Sequence, residues 1–436
     1  MKKAKPGYKL VKSLFGKYEE IPEEWDVKKL GEVTKIKGRV GWKGYSTEDL
    51  VEKNVGFLVL GVNNITKNNK LTLKKSTYIT KKKYDESPEI KINKEDIIMA
   101  SAGSVDRVAM IPSDIGPATI NPNVLLIKEI QVNPFFLYYF LTSNFIKRQI
   151  SKNVAATTIL HVTQGIANPL KLFLPPKNEQ QKIASILSNI DDLILSYENL
   201  IYLTKKLKTG VVQQLLLKGI NPTASQKVHL HPKSILCEIP VDWKLIQLDS
   251  IGKIIDTPHY TSPIFSSGIP VVTTTNCHPD GVINYDSIKF TSKNEYEKRS
   301  KIINPDIDDV LFTREAPSGV AVIVDVKEVA VGQRIILIKL DSSVIRGKYL
   351  VCFLNSYFGK LQSNSFSIRT TVERINISDI KKFKIPIPSL ELQDESLTII
   401  SDINNKIKKL ESKKNSLDYI KKSLIQKLLM GKIRVR

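Results

Sequence analysis

Two hydrophobic patterns alternate along the chain. The first consists of short apolar runs, such as residues 57–60, 97–99 and 124–127, punctuated by Gly, Pro and Asn. Runs of that length between turn formers predict strands in a mixed α/β domain. Asn133-Pro134 then opens an aromatic stretch through Phe136, Tyr139 and Phe140. Asn is suited to cap a helix and Pro to occupy its first position. The second pattern is longer. From Glu179 to Lys218 apolar residues return at three- and four-residue steps, through Ile183, Ile186, Ile190, Leu193, Tyr197, Leu200, Leu207 and Val211, and no Gly or Pro interrupts them before Gly210. Ile400, Ile403, Ile407, Leu410, Leu417, Leu424 and Leu428 repeat it. Each stretch predicts an amphipathic helix of roughly 35–40 residues, about 55 Å long at 1.5 Å per residue.

Both patterns occur twice because the sequence is duplicated. Glu20-Ile21-Pro22-Glu23-Glu24-Trp25 returns as Glu238-Ile239-Pro240-Val241-Asp242-Trp243. The run 56–65 matches 268–277 at an offset of 212, Asp96-Ile97-Ile98-Met99 matches Asp309-Val310-Leu311-Phe312, and Val124-Leu125-Leu126-Ile127-Lys128 resembles Ile335-Ile336-Leu337-Ile338-Lys339. Pro175-Pro176 before Glu179-Gln180-Gln181 matches Pro386-Ile387-Pro388 before Glu391-Leu392-Gln393. Matched segments in one order at nearly one offset define a repeat of about 212 residues.

Neither long helix can bury its stripe against one compact domain, so the two are predicted to pack on each other as an antiparallel coiled coil. Lys414 and Lys421 interrupt the second stripe. The expected fold is a tandem duplication with a pseudo-two-fold axis, in which mixed α+β (α/β) globular domains alternate with long α-helices. The boundaries read as a first globular domain over 1–176, a long helical segment over 177–219, a polar linker over 220–237, a second globular domain over 238–388 and a second helical segment over 389–436. DNA has local two-fold symmetry too. Such a chain is predicted to place one domain on each of two unequal half-sites, separated by about one helical turn, roughly 34 Å.

Charge narrows the partner. Of 436 residues, 66 are Lys or Arg and 44 Asp or Glu, a net charge of +22. A surplus of that size favours a polyanion, because neutralised phosphates release counterions; the competing explanation is solubility alone. The three cysteines, Cys237, Cys277 and Cys352, are too few and too scattered for a disulfide framework. No apolar signal core follows the basic residues 1–8, and the longest apolar run, residues 135–141, is too short to span a bilayer. These features predict a cytoplasmic protein.

The repeated Ile-Pro-x-x-Trp, the Pro-Pro-x-x-Glu-Gln-Gln helix start and the endings Leu215-Leu216-Leu217-Lys218-Gly219 and Lys427-Leu428-Leu429-Met430-Gly431 resemble those of type I restriction–modification specificity subunits. The resemblance covers both copies. It implies two target-recognition domains on double-stranded DNA, each followed by a helical spacer on which modification subunits, two in number, dock. Those partners would supply S-adenosylmethionine chemistry, and restriction subunits using ATP and Mg would complete the nuclease. The chain itself would bind no cofactor. One departure is that Leu392 and Asp394 stand where the first copy has Gln180 and Lys182.

The chain carries no clear motif for chemistry of its own. Asn133-Pro134-Phe135-Phe136 resembles an amino-methyltransferase loop but lacks its second proline. No glycine-rich cofactor loop or phosphate loop occurs. Pro305-Asp306 with Asp325-Val326-Lys327 is a loose mimic of a nuclease metal site, and His229, His231 and Cys237 fit no usual zinc spacing. The sequence predicts no catalytic and no metal-binding residue. A self-contained methyltransferase or nuclease, and a coiled-coil scaffold without nucleic acid, are the rival classes.

Candidate DNA contacts follow from residue type, with Lys and Arg for phosphates and Arg, Asn, Gln, Ser or Thr for bases. Lys35, Lys37, Arg39, Trp42, Lys43 and Tyr45 crowd one glycine-punctuated loop of the first copy. Asn63 and Asn64 correspond to Thr275 and Asn276, preceded by Thr274. Ser101 and Arg107 lie opposite Arg314. Thr157, Thr158 and His161 correspond to Thr370, Thr371 and Arg374, with Arg369 immediately before.

Overall fold

The computed structural model describes residues 4–12, 18–40, 44–103, 105, 107–154, 161–221, 224–231, 235–367 and 373–435. They fall into two compact units that do not follow chain order: unit 1 is residues 1–198 with 412–436, and unit 2 is 199–411. The boundaries cut both long helices, Lys177–Leu217 and Leu390–Leu428, so each unit holds the start of one helix and the end of the other.

Unit 1 is built on a four-stranded antiparallel sheet in the order Lys35–Gly38, Val124–Lys128, Ile97–Ala100, Val108–Met110. A three-stranded sheet in the order Thr77–Ile79, Phe57–Leu60, Ala118–Ile120 lies beside it, its last pair parallel. Successive side chains on a strand point to opposite faces. Ile97, Met99, Leu125 and Ile127 therefore join a cluster with Phe136, Phe140, Ile183 and Leu187, while Ile98, Ala100, Val124 and Leu126 join Leu58, Leu60, Ala118 and Ile120. Strands buried on both faces carry no polar alternation, which is why they read as unbroken apolar runs. The aromatic helix is Pro134–Leu141, capped by the Asn133 side chain accepting from the Phe136 amide at 2.9 Å.

Unit 2 repeats this plan. Its four-stranded sheet is Gly252–Asp256, Ile335–Leu340, Val310–Thr313, Ala321–Ile323, and its three-stranded sheet Lys289–Thr291, Ile269–Val272, Ala330–Val331. Val310, Phe312, Ile336 and Ile338 face one core and Leu311, Ile335 and Leu337 the other.

The segments repeated between the copies meet inside each unit. In unit 1, Leu428 and Leu429 of the second helix are buried with Ile21 and Trp25. Gly431, at φ +66°, closes the helix against Pro22 and Trp25. In unit 2, Leu216 and Leu217 of the first helix are buried with Ile239 and Trp243, and Gly219, at φ +72°, lies on the Trp243 ring. A left-handed residue after a helix is the glycine stop expected there. In unit 1 the helix segments run antiparallel, since Asp191 pairs with Lys421 and, seven residues on, Glu198 faces Lys414. Both lysines that break the apolar stripe thus meet acids, and Lys421 also lies over the Tyr139 ring.

Two sequence readings need correction. The repeats align differently at the second helix. Gln180 and Gln393 do the same work: each donates to a carbonyl five residues back, Pro175 or Pro388, and accepts from the Asn133 or Arg346 amide. Leu392 therefore stands in place of Glu179 and Asp394 in place of Gln181, one residue from the alignment that matching Glu391 to Glu179 implied. The segment 220–237 is also more than a polar linker. Ser225–His231 and Ile235–Pro240 form an antiparallel ladder, with Leu230 and Cys237 buried. Unit 1 has the same ladder in Tyr8–Lys12 and Tyr18–Pro22. The period-two alternation of Val228 and Leu230 with Lys227 and His229 carried this signal, and the overall polarity of the segment masked it.

Candidate nucleic-acid interface

In each unit, strand pairing brings the flagged segments to a single edge. In unit 1, Ala100 pairs with Val124, Gly38 with Leu125 and Leu60 with Ile120, so the chain leaves or re-enters both sheets on one side. Backbone bonds tie the segments there: Asn121 N to Leu60 O (2.9 Å), Ser101 N to Asn123 O (2.9 Å) and Val162 N to Ser101 O (2.7 Å). Unit 2 makes the corresponding bonds, Gly332 N to Val272 O (2.7 Å), Arg314 N to Arg334 O (2.8 Å) and Ile375 N to Arg314 O (3.1 Å). An isolated bridge joins Ala102 to His161 in one unit and Glu315 to Arg374 in the other. The frame is shared; the side chains on it differ.

Several predicted contacts belong to that frame rather than to the surface. Arg39 is 5% exposed. Its Nε donates to the Ile120 carbonyl at 2.8 Å and its Nη2 to Thr119. Burial lowers its pKa from the usual arginine value, against the opposing effect of Tyr45, Glu86 and Glu89. Asn64 is buried, its Oδ1 accepting from Gly61 N and its Nδ2 donating to Thr72 O. Asn276 is its twin, holding Thr273 N and Asn284 O. Ser101 is fully buried, and its hydroxyl meets no partner among the described residues. Arg314 is held by Asp256 at 3.0 and 3.1 Å. For the first four, reading surface chemistry from residue type is corrected by burial: a polar group inside must be satisfied by the protein, and three of them are; Arg314 is half-buried, its side chain 13% exposed.

Others reach solvent at the edge. Asn63, Thr275, His161 and Arg374 are exposed, and Lys37, Arg107, Tyr45 and Thr274 half-buried. Thr274 Oγ1 donates to the Ala316 carbonyl and Thr275 Oγ1 shares a hydrogen bond with Thr273. Lys35 is not brought to this edge: it lies at the opposite end of its strand, opposite Lys128, where it pairs with Glu129 at 2.5 Å. Trp42, Lys43, Thr157, Thr158, Arg369, Thr370 and Thr371 lie outside the described residues.

Sequence reasoning missed part of the edge. Lys75, Thr77, Asn121 and Asn123 join Tyr45, Asn63 and Asn64 around an open polar cleft of about 200 Å³ in unit 1. Burial raises the Tyr45 pKa, Arg39 and a hydrogen bond with Asn121 opposing it. The signal for two of these was present in the turn Asn121-Pro122-Asn123 between strands. In unit 2, Glu315 and Arg334 were missed; they pair at 3.3 Å. Amide, hydroxyl and guanidinium groups on a rigid frame can form hydrogen bonds with base edges and phosphates.

The loose nuclease mimic comes apart, since Asp306 pairs with Lys339 and Asp325 accepts from Tyr285. Among the described residues no group of three or more His, Cys, Asp or Glu side chains is placed to hold a metal ion, and no helix is long and apolar enough to cross a membrane.

Comparison with known families decides the assignment. The family model described as "Type I restriction modification DNA specificity domain" matches residues 22–203 and again 240–419. The chain belongs to this family. Its two specificity domains are the two copies of the repeat. The putative specificity subunit of the type I restriction enzyme MjaX, from Methanocaldococcus jannaschii, is 25% identical over 429 residues, covering 96% of this chain and 95% of the relative. The MjaVIII specificity subunit of the same organism is 26% identical over 436 residues, covering 95% and 94%. A solved structure titled "Structural basis underlying complex assembly and conformational transition of the type I R-M system" shares the fold. Its TM-score is 0.59 at 17% identity, over 95% of this chain and 99% of that one. The protein is accordingly a DNA specificity subunit and not a catalytic one.

Proposed function

We propose that each unit reads one half of a bipartite, asymmetric double-stranded DNA target with the edge described above. The observation that carries this is the shared edge itself: the same backbone bonds present Asn63, Lys75, Asn121 and Asn123 in unit 1 but Thr275, Arg334 and Arg374 in unit 2. One frame with two chemistries suits two unequal half-sites, with the long helices as the spacer between them. The net charge of +22 supplies the sequence-independent attraction.

Catalysis belongs to partners in this reading. Modification subunits, two in number, dock on the long helices and bring S-adenosylmethionine; restriction subunits bring the ATP- and Mg-dependent cleavage; the chain binds none of these itself and works in the cytoplasm. Leu200 and Leu207 of the first helix, which the periodicity placed on the buried stripe, are instead 43% and 60% exposed, and with Leu203 at 58% they share one helical face, an apolar surface of the kind that partners cover.

The test is to map modified bases in DNA from cells expressing this chain with its modification subunits. A split motif with two unequal halves is expected. One continuous motif, or methyl transfer by the purified chain alone, contradicts the reading.

A further inference from the structure

We propose that Arg334, steadied by Glu315, is a guanine-reading side chain of unit 2, and that Asn123 gives unit 1 an amide at the same place. The inference rests on the reading that this edge meets DNA, and it adds which base one residue selects.

Three observations converge on Arg334. Its backbone is anchored on both sides: Gly332 N bonds to Val272 O at 2.7 Å, the Arg334 carbonyl accepts from Arg314 N at 2.8 Å, and Ile335 is fully buried. Its φ is +68°, a left-handed conformation that costs a side chain with a Cβ and persists only where the surroundings enforce it. Non-glycine residues of unit 1 with positive φ are Asn69, Glu95 and Glu129 among those described, and not the counterpart Asn123. The conformation is therefore peculiar to the copy that carries arginine. Third, the Arg334 side chain is 54% exposed, while its Nε pairs at 3.3 Å with Glu315, itself 22% exposed.

The carboxylate decides between a phosphate contact and a base contact. A guanidinium meant only for a phosphate gains nothing from a neighbouring Glu, whose charge repels that phosphate. An ion pair on the Nε edge instead draws the guanidinium to one side and leaves its two terminal amino groups as a fork, the geometry that matches O6 and N7 of guanine in the major groove. The pair is exchanged as a unit between the copies. Where unit 2 has Arg334 and Glu315, unit 1 has Asn123 and Ala102, since Ser101 N bonds to Asn123 O as Arg314 N bonds to Arg334 O, and the bridges Ala102–His161 and Glu315–Arg374 correspond. An amide needs no carboxylate to orient it and pairs with adenine N6 and N7.

The experiment uses the chain assembled with its modification subunits. The modified-base motif and the binding of site libraries are measured for the wild type and for Arg334→Ala, Arg334→Asn and Glu315→Gln. The wild type should require a G·C pair at one position of one half-site. Arg334→Ala should lose about 5- to 150-fold of discrimination at that position and leave the other positions unchanged. Arg334→Asn should shift the preference there toward A·T. Glu315→Gln should relax the same position with unchanged thermal unfolding, an effect that a merely structural role would not produce. A uniform loss of affinity over all sequences, with a salt slope reduced by about one, would make Arg334 a phosphate contact and overturn the proposal; so would an unaltered motif in Arg334→Asn. If the wild-type complex shows no split motif at all, it is the underlying reading that fails, which is a separate outcome.

Discussion

The indole nitrogen of Trp25 donates to the Glu179 carboxylate at 3.1 Å, across 154 residues of sequence. Arg434 binds the same carboxylate through Nε at 2.7 Å and Nη2 at 2.8 Å, and also reaches Glu24. Three segments that are remote in sequence, near residues 25, 179 and 434, thus share one buried acid within unit 1. Among the described residues unit 2 shows no equivalent acid on Trp243, which repeats Trp25, and Leu392 stands in the place of Glu179.

Glu179→Leu leaves the Trp25 N–H without its acceptor and Arg434 with Glu24 alone, while keeping the volume. Removing one partner of a buried pair is costly, and because the Arg434 side chain is 17% exposed the loss is set at about 2–3 kcal/mol in urea unfolding. A change below about 0.5 kcal/mol would show that the acid does not hold the helix end. Desolvation pushes the Glu179 pKa up, but hydrogen bonds from Arg434, Trp25 and the Val435 amide outweigh it, and the net shift is downward from 4.5. A depressed folded pKa gives stability that is fully present above pH 4.5 and is lost as pH falls through the lower folded value. Glu179→Gln should therefore flatten the acid limb of the stability curve below pH 4.5 and leave the neutral limb parallel to the wild type.

Two glycines of the long helices should respond in opposite directions to alanine. Gly210 lies mid-helix with nothing within 4 Å of an added Cβ, so Gly210→Ala should stabilise by about 0.5–1 kcal/mol. Gly431 has φ +66°, and a Cβ there would lie 2.3 Å from Pro22 Cδ. Strain of about 1–2 kcal/mol from the left-handed backbone adds to the overlap, so Gly431→Ala should lower the unfolding midpoint. Equal effects of the two substitutions would remove the helix-stop argument.

Large features of this fold were legible in the sequence because they follow from periodicity. Strands buried on both faces appear as short apolar runs, the long helices as stripes with three- and four-residue steps, and the duplication as repeated order. What escaped depends on partners remote along the chain. Arg39 looks like a phosphate contact until its acceptor, the Ile120 carbonyl 81 residues away, is seen. Glu391 and Glu179 look equivalent because the letters match, yet the backbone bonds made by Gln180 and Gln393 set the true register. Arg334 gave no motif at all, since its φ and its Glu315 partner exist only in three dimensions.

Asn64 and Asn276 distinguish frame from surface. Each buried amide closes the turn after a strand with two backbone bonds, so alanine should cost about 1–3 kcal/mol at either position. The modified-base motif should stay the same in whatever fraction remains folded. By contrast, Asn63→Ala, at an exposed neighbour in the cleft of unit 1, should leave stability within about 0.5 kcal/mol and relax one position of one half-site. If Asn64→Ala alters the motif at full stability, the assignment of Asn64 to the frame is wrong.

The exposed face of the first helix offers the last test. Leu203 and Leu207 are 58% and 60% exposed, and residues four apart share a helix face. Leaving two such leucines in water forfeits roughly 1.5–3 kcal/mol for each that could be buried, a driving force available to a docking subunit. Glutamate at both positions keeps the helix, because Glu is a good helix former, and removes that driving force. The double variant should therefore unfold like the wild type but lose co-purification with the modification subunit, and with it methylation at every site rather than at one. The uniformity separates docking from reading, since a base-reading variant changes which sites are modified, whereas this one should change only how many. Undiminished co-purification would move the docking surface off this face of the helix.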